Sequence, residues 1–236
     1  KIRGHRAAIV ATRRALDLAH RHDHRFHVLH VSTADELEII QDHRNRITAE
    51  ACPHHLFFHT GDYARLGSLV QMNPSLKTAD DNQAIWQGLR SGVLQVVATD
   101  HAPHTLEEKK LPFGQAPAGM PGVETSLPLM LNHSHTSNID IKDIVKWMCE
   151  NPAIIYKVKN KGFIKEGYDA DITIVDINKE KIISGKNMQS KCGWSAFDGK
   201  NIKGWPIITI VNGNIVYENE QINNQFLGHQ VEFDES

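Results

Sequence analysis

No stretch of this sequence approaches the roughly 20 consecutive apolar residues that a bilayer span requires, so no transmembrane helix is expected. Cysteine is scarce. Cys52, Cys149 and Cys192 are odd in number, far apart and free of any CxxC pairing. That excludes a disulfide framework and points to a reducing, cytoplasmic setting. Neither sign of charge dominates: 26 Lys and Arg stand against 28 Asp and Glu, for a net charge of −2. A nucleic-acid footprint and a polybasic membrane patch are therefore both missing. The opening Lys1-Ile2-Arg3-Gly4 leads into no apolar h-region, so it is not read as a signal peptide. It also has no initiator methionine, and the expectation is a chain that starts inside a longer protein or after processing. Internal repeats and low-complexity tracts are lacking too.

What is abundant is histidine, at 15 of 236 residues. His20, His22, His24 and His27 fall around one helix end and the turn after it, where a solvated role is expected. His54-His55 and the pair His101 and His104 sit instead at the ends of predicted strands. The key stretch is Val96-Val97-Ala98-Thr99-Asp100-His101-Ala102-Pro103-His104. The apolar run from Val93 to Ala98 reads as a strand buried on both faces, as in a parallel sheet. A carboxylate and two imidazoles follow it. In barrels of alternating strands and helices, that carboxyl end is where chemistry is placed. Burying a lone carboxylate costs several kcal/mol, so Asp100 calls for a metal ion or another cation. The alternative at this stage is that Asp100 merely caps the turn that follows.

Along the chain, Ala7 to His20 has helical apolar spacing. Arg25 to Val31 is predicted as a strand ending at His30. Thr33 and Glu36 form a capping box that opens a helix over Ala34 to His43. Ile47 to Ala51 is the next strand, followed by Cys52-Pro53-His54-His55 and a long connection over 56–72. Ala79 to Ser91 is predicted helical, ahead of the Asp100 strand. This is the βα alternation of a parallel α/β fold. Residues 105–122, rich in Gly and Pro, are either a lid or binding loop or a plain surface loop. Helices are expected from Val123 to Leu131 and from Ile139 to Cys149, with Asn151-Pro152 ending the latter. Beyond residue 160, short strands are expected at 162–164, 171–176 and 205–211. Asn212-Gly213 turns the last into 214–217, the strongest short hairpin signal. The domain division is 1–158 and 159–236.

Five motifs occur in this order: Leu29-His30-Val31-Ser32-Thr33, Ala51-Cys52-Pro53-His54-His55-Leu56, Met72-Asn73-Pro74-Ser75-Leu76, Ala98 through Lys109, and Pro121-Gly122-Val123-Glu124-Thr125. Together they resemble the later half of the dihydroorotases, within the amidohydrolase superfamily. The tail, Gly167-Tyr168-Asp169-Ala170-Asp171-Ile172-Thr173 and Gly204-Trp205-Pro206 through Gly213, resembles that superfamily's small β domain, shared with hydantoinases and allantoinases. The resemblance implies the later part of a (β/α)₈ metal-dependent hydrolase barrel, followed by strands of a small β-sandwich. It implies one or two Zn²⁺ ions and the reversible cyclisation of N-carbamoyl-L-aspartate to L-dihydroorotate in pyrimidine biosynthesis. Carried over by position, His30 is a metal ligand, and Asp100 is both a ligand and the general acid/base. Asn73 and His104 contact substrate, and the backbone near Gly119 holds the ring amide. His54 and His55 match a family motif but are not carried over as ligands. A cytoplasmic homodimer is the implied assembly.

The sequence also departs from that family. The His-x-His pair of the first strand, the fourth-strand lysine or aspartate and the fifth-strand histidine are absent. A catalytic zinc takes about three protein ligands, and only His30 and Asp100 are offered. Roughly 155 residues precede the β tail, where a full barrel needs about 250. The expectation is therefore a C-terminal portion that is inactive alone. The alternatives are another cyclic amidohydrolase, a hydantoinase or allantoinase, or a non-catalytic dihydroorotase-like subunit.

Overall fold

The computed structural model describes residues 3–43 and 46–234. Lys1 and Ile2, part of the opening searched for a signal peptide, lie outside the described residues. Two compact units divide the chain: Lys1–Ser126 with Ser184–Asp198, and Leu127–Ile183 with Gly199–Ser236. Among the described residues, no helix is long and apolar enough to cross a membrane.

The first unit is built on a parallel three-stranded sheet in the order β1-β2-β3, with β1 at Phe26–Val28, β2 at Ile47–Ala51 and β3 at Val96–Val97. Helix α1 (His5–Arg21) precedes β1, and α2 (Ala34–Gln41) crosses from β1 to β2. Short helices α3 (Pro53–Phe57) and α4 (Tyr63–Leu66), then α5 (Ala79–Ser91), lie between β2 and β3. Helical spacing explains α1, which buries Thr12, Leu16 and Ala19 on one stripe. The predicted capping box opens α2: Thr33 accepts from the Glu36 amide while the Glu36 side chain accepts from the Thr33 amide. A second box, Thr78 with Asp81, opens α5, which spans the predicted residues. Gly88 lets α5 come against α2, since a Cβ there would stand 3.0 Å from Leu37 Cδ2.

Two strands are shorter than their apolar runs. Arg25 to Val31 narrows to Phe26–Val28 because the chain bends at His30, which takes a left-handed φ of 41°, although Val31 N still donates to Glu50 O of β2. Val93 to Ala98 narrows to Val96–Val97. Backbone bonds from Gln95 N to Ala49 O and from Ala98 N to Ala51 O still continue the ladder on either side. After β3 comes α6 (Leu106–Lys109), a single capped turn inside the predicted loop, where the Thr105 hydroxyl accepts from the Glu108 amide.

Helix α7 (Ser126–Ser134) leads into the second unit. There α8 (Ile141–Val145) passes through a π-turn at Lys146–Glu150 into α9 (Asn151–Ile155). Pro152 does not end the helix as expected. It sits at the second residue of α9, directly after the π-turn, and the helix runs on to Ile155. The expected strand at 162–164 is absent, and those residues are irregular. An antiparallel four-stranded sheet follows in the order β4-β5-β6-β7: Ile172–Ile182, Asn201–Val211, Asn214–Glu218 and Gln221–Ile222. The predicted hairpin is present. Asn212 and Gly213 both have positive φ, 47° and 80°, as the tight turn between β5 and β6 requires.

Candidate active site

Parallel pairing aligns the strands, so the residues leaving the carboxyl ends of β1, β2 and β3 share one edge of the sheet. His30 follows β1, His54 follows β2, and Asp100 follows β3. His30 and Asp100 both adopt left-handed backbone, with φ of 41° and 46°. Non-glycine residues there are uncommon, and such conformations cluster at functional sites.

The carboxylate of Asp100 is 29% exposed, and its Oδ2 lies 3.8 Å from His54 Nε2. That is too long for a hydrogen bond. Burial raises the Asp100 carboxyl above its ordinary range, the His30 imidazole lowers it, and the Glu50 carboxylate raises it further. His54 is buried and its rings pack edge-on with His55 at 4.3 Å between centroids. Burial holds the His54 imidazolium far below its ordinary value, helped by His55 and His30. Burial likewise pushes His55 down to about 3. Both rings are neutral at pH 7. The Cys52 thiol is pushed up by burial, by Glu50 and by Asp100, so it stays protonated and is no nucleophile.

Three ring nitrogens here are buried without a hydrogen-bond partner: His30 Nδ1, His54 Nε2 and His55 Nδ1. An orphaned buried nitrogen needs a reason. For His30 a divalent ion provides one, because neutral imidazole and carboxylate are both zinc ligands. Among the described residues, no three His, Cys, Asp or Glu side chains close around a point that could hold an ion. His30 and Asp100 are the kinds of donor a divalent ion takes, and two of them are fewer than the three protein ligands such a site needs.

The turn bearing His30 is held from below. Glu50, buried in β2, meets His27 Nε2 at 3.0 Å through Oε2, and its Oε1 accepts a long 3.4 Å bond from the His30 amide. Thr48 Oγ1 lies 2.7 Å from the other His27 nitrogen. On the far side of the turn, buried Glu36 accepts from Ser32 and Thr33. Neither carboxylate was singled out for this role from sequence. Glu50 sits inside an apolar strand, and the capping-box spacing accounts for Glu36 without further meaning.

The expected substrate residues lie on two segments, 71–77 and 101–120. Asn73 is exposed on the segment Gln71–Lys77, and its peptide bond to Pro74 is cis. Beside that segment is a cavity of about 940 Å³, lined by Tyr63, Met72, Ser75, Lys77 and Phe113 among others. His104 donates from Nε2 to Ala118 O at 3.1 Å, which leaves Nδ1 toward Glu108 at 3.9 Å. Gly119 lies against this residue: a Cβ there would fall 2.5 Å from Ala102 O and 3.3 Å from His104 Cδ2. Its amide already donates to Gln71 O at 2.9 Å, and its carbonyl accepts from Lys109 Nζ at 2.8 Å. A carbonyl oxygen has two lone pairs, and one of them accepts from Lys109. His101, which sequence reasoning left without a role, accepts from the Gly122 and Val123 amides and closes the loop's far end.

Comparison with known proteins identifies the family. The model of the Amidohydrolase family matches residues 11–216. A dihydroorotase from Pyrococcus horikoshii is 38% identical over 224 residues, covering 94% of this chain and 52% of the relative. One from Bacillus pumilus is 38% identical over 197 residues, covering 82% and 46%. Among solved structures, the L-hydantoinase (dihydropyrimidinase) from Arthrobacter aurescens superposes with a TM-score of 0.86 at 31% identity, covering 91% of this chain and 49% of that one. A D-hydantoinase gives 0.86 at 26% identity, covering 93% and 50%. The chain spans about half the length of the curated relatives it matches. With its parallel α/β sheet, its rim of His30 and Asp100 and a family match over most of its length, the chain belongs to the amidohydrolase family.

Proposed function

We propose that these residues are the later part of a zinc-dependent dihydroorotase, which interconverts N-carbamoyl-L-aspartate and L-dihydroorotate. The observation that carries the reading is the pairing of His30, with its free buried Nδ1, and Asp100 at the carboxyl edge of one parallel sheet. The 36–38% identity to proteins named dihydroorotase supports it. In this reading residues 1–158 contribute to a (β/α)₈ barrel and residues 159–236 to a small β-sandwich. The complete enzyme is a cytoplasmic homodimer, and residues 1–236 alone turn over no substrate, since the other zinc ligands lie elsewhere.

His30 and Asp100 would hold the ion together with ligands outside these residues. When bound, zinc supplies an activated water near neutral pH and polarises the scissile carbonyl. In the hydrolytic direction, a water oxygen adds to the ring carbonyl carbon next to the ring nitrogen. The Asp100 carboxylate takes the proton released and returns it to that nitrogen as the carbon–nitrogen bond breaks. One amide becomes a carboxylate and a carbamoyl NH₂. Ring closure runs the same proton path backwards. When doubly protonated, His104 donates from Nδ1 to the substrate carboxylate beside the Asn73 amide, and Gly119 O accepts from the ring N–H.

Asp100→Asn in the complete enzyme tests this assignment. The side chain keeps its size and cannot accept the proton, so turnover of dihydroorotate should fall by at least about 10²-fold, the scale of a lost acid/base. Near-normal turnover would remove Asp100 from the chemistry. The hydantoinase structures favour a second reading, a related cyclic amidohydrolase acting on another ring amide. Comparing rates on dihydroorotate and hydantoins separates the two.

A further inference from the structure

The loop after Asp100 contains a buried cation that the proton path does not use. Lys109 is 1% exposed. Its Nζ donates to Gly119 O at 2.8 Å, to Pro117 O at 2.9 Å and to Gln71 O at 3.4 Å. An ammonium has three protons to give, and these carbonyls take all three. The ammonium also lies 5.9 Å from the centroid of the Trp194 ring. Gln71, itself buried, works beside it. Its side-chain amide donates to Ala116 O, its Oε1 accepts from the Gly114 amide at 2.7 Å, and its own carbonyl accepts from the Gly119 amide at 2.9 Å. Ser68 Oγ donates to the Lys109 carbonyl, which fixes the base of the turn.

Residues 114–119 therefore have almost no secondary structure and yet are tied at four backbone positions to two side chains. A loop that needed only to be ordered could pack an apolar residue where Lys109 stands, since burying an ammonium costs several kcal/mol. What the polar clamp adds is direction. It aims the Gly119 carbonyl and seats Gly119 against His104, while Gln71 lies two residues before Asn73 on the same segment.

We propose that Lys109 and Gln71 are positioning residues for the substrate, a buried ammonium and amide that hold the Gly119 backbone in register with His104 and Asn73. This rests on the reading of those three residues as substrate contacts. Lys109 and Gln71 themselves touch no substrate. They act through the loop, so their removal should weaken binding far more than it slows the chemical step at Asp100.

The test uses the complete enzyme with Lys109→Met, which keeps the length of the side chain and loses its donors, and with Lys109→Arg, which keeps charge and donors. In Lys109→Met the Gly114 and Gly119 amides should exchange with solvent deuterium about tenfold faster or more, the scale of one lost charge-assisted hydrogen bond. KM for dihydroorotate should rise about tenfold on the same scale while kcat stays within about twofold, and Lys109→Arg should recover part of KM. Should Lys109→Met fold poorly, Gln71→Leu removes the other half of the clamp and carries the same expectations. Unchanged loop exchange, or a loss confined to kcat, would overturn the proposal. A wild-type enzyme that binds and turns over no dihydroorotate would instead sink the substrate reading, while the exchange data still decide whether the clamp exists.

Discussion

Removing the Glu36 carboxylate should unfasten the turn that carries His30. Glu36 is 3% exposed. Its Oε1 accepts from Thr12 Oγ1 at 2.7 Å, and its Oε2 accepts from the amides and hydroxyls of Ser32 and Thr33 at 3.0–3.2 Å. One buried carboxylate thus joins α1, the start of α2 and the residues two and three positions beyond His30. In Glu36→Ala the Ser32 and Thr33 amides lose their acceptor inside the protein. Each orphaned buried donor costs about 1–3 kcal/mol, and stripping one partner from a buried charged network costs about 3–5 kcal/mol in total. Glu36→Gln should cost only about 1–2 kcal/mol, because the amide oxygen can keep the Ser32 and Thr33 bonds while its NH₂ donates to the Thr12 hydroxyl. Urea unfolding of the two variants measures the difference, and bound zinc in the complete enzyme should fall in Glu36→Ala as the His30 turn loosens. A Glu36→Ala protein within about 1 kcal/mol of wild type, with its zinc content intact, would refute the reasoning.

Asp81 gives a pH signature. Burial works to raise its carboxyl, but donors from Thr78, Ala34 and His5 outweigh that and hold it below the ordinary range. A depressed acid stabilises the fold above its unfolded value, near 3.9, and loses that contribution as pH falls through the lower folded value. The stability gap between wild type and Asp81→Asn should therefore be constant from pH 7 to about 5 and shrink below about 4, as read from urea midpoints; a pH-independent gap contradicts it. Excising residues 106–118 should raise KM or lower kcat on dihydroorotate, and an unaffected enzyme would reduce this loop to a surface connection.

The sequence disclosed more of the strand-end motifs than of the residues that support them. The Asp100 strand end is legible because an apolar run stops at a carboxylate and two imidazoles, whereas the Leu29–Thr33 motif carries its role only through the family resemblance. The Asn212-Gly213 hairpin and the Thr33–Glu36 box were readable because turns and caps demand particular residues at fixed offsets. The strand ends were not, since His30 and the residues around it follow the β pattern by composition while the backbone turns left-handed at that point. Pro152 marks a helix end by residue type, and nothing in the residue types announces the π-turn through which the helix passes just before it and continues to Ile155. Lys109, Gln71 and Glu50 were invisible as supports, because a charged residue in a polar loop or an isolated acid in a strand shows nothing of its burial until distant segments come together.

X-ray anomalous scattering at the zinc absorption edge, from crystals of the complete enzyme, locates the ion. A peak is expected within about 2.0–2.2 Å of both an Asp100 carboxylate oxygen and a His30 ring nitrogen. Zinc bound elsewhere, or a fully active enzyme with no anomalous peak between His30 and Asp100, would contradict the account.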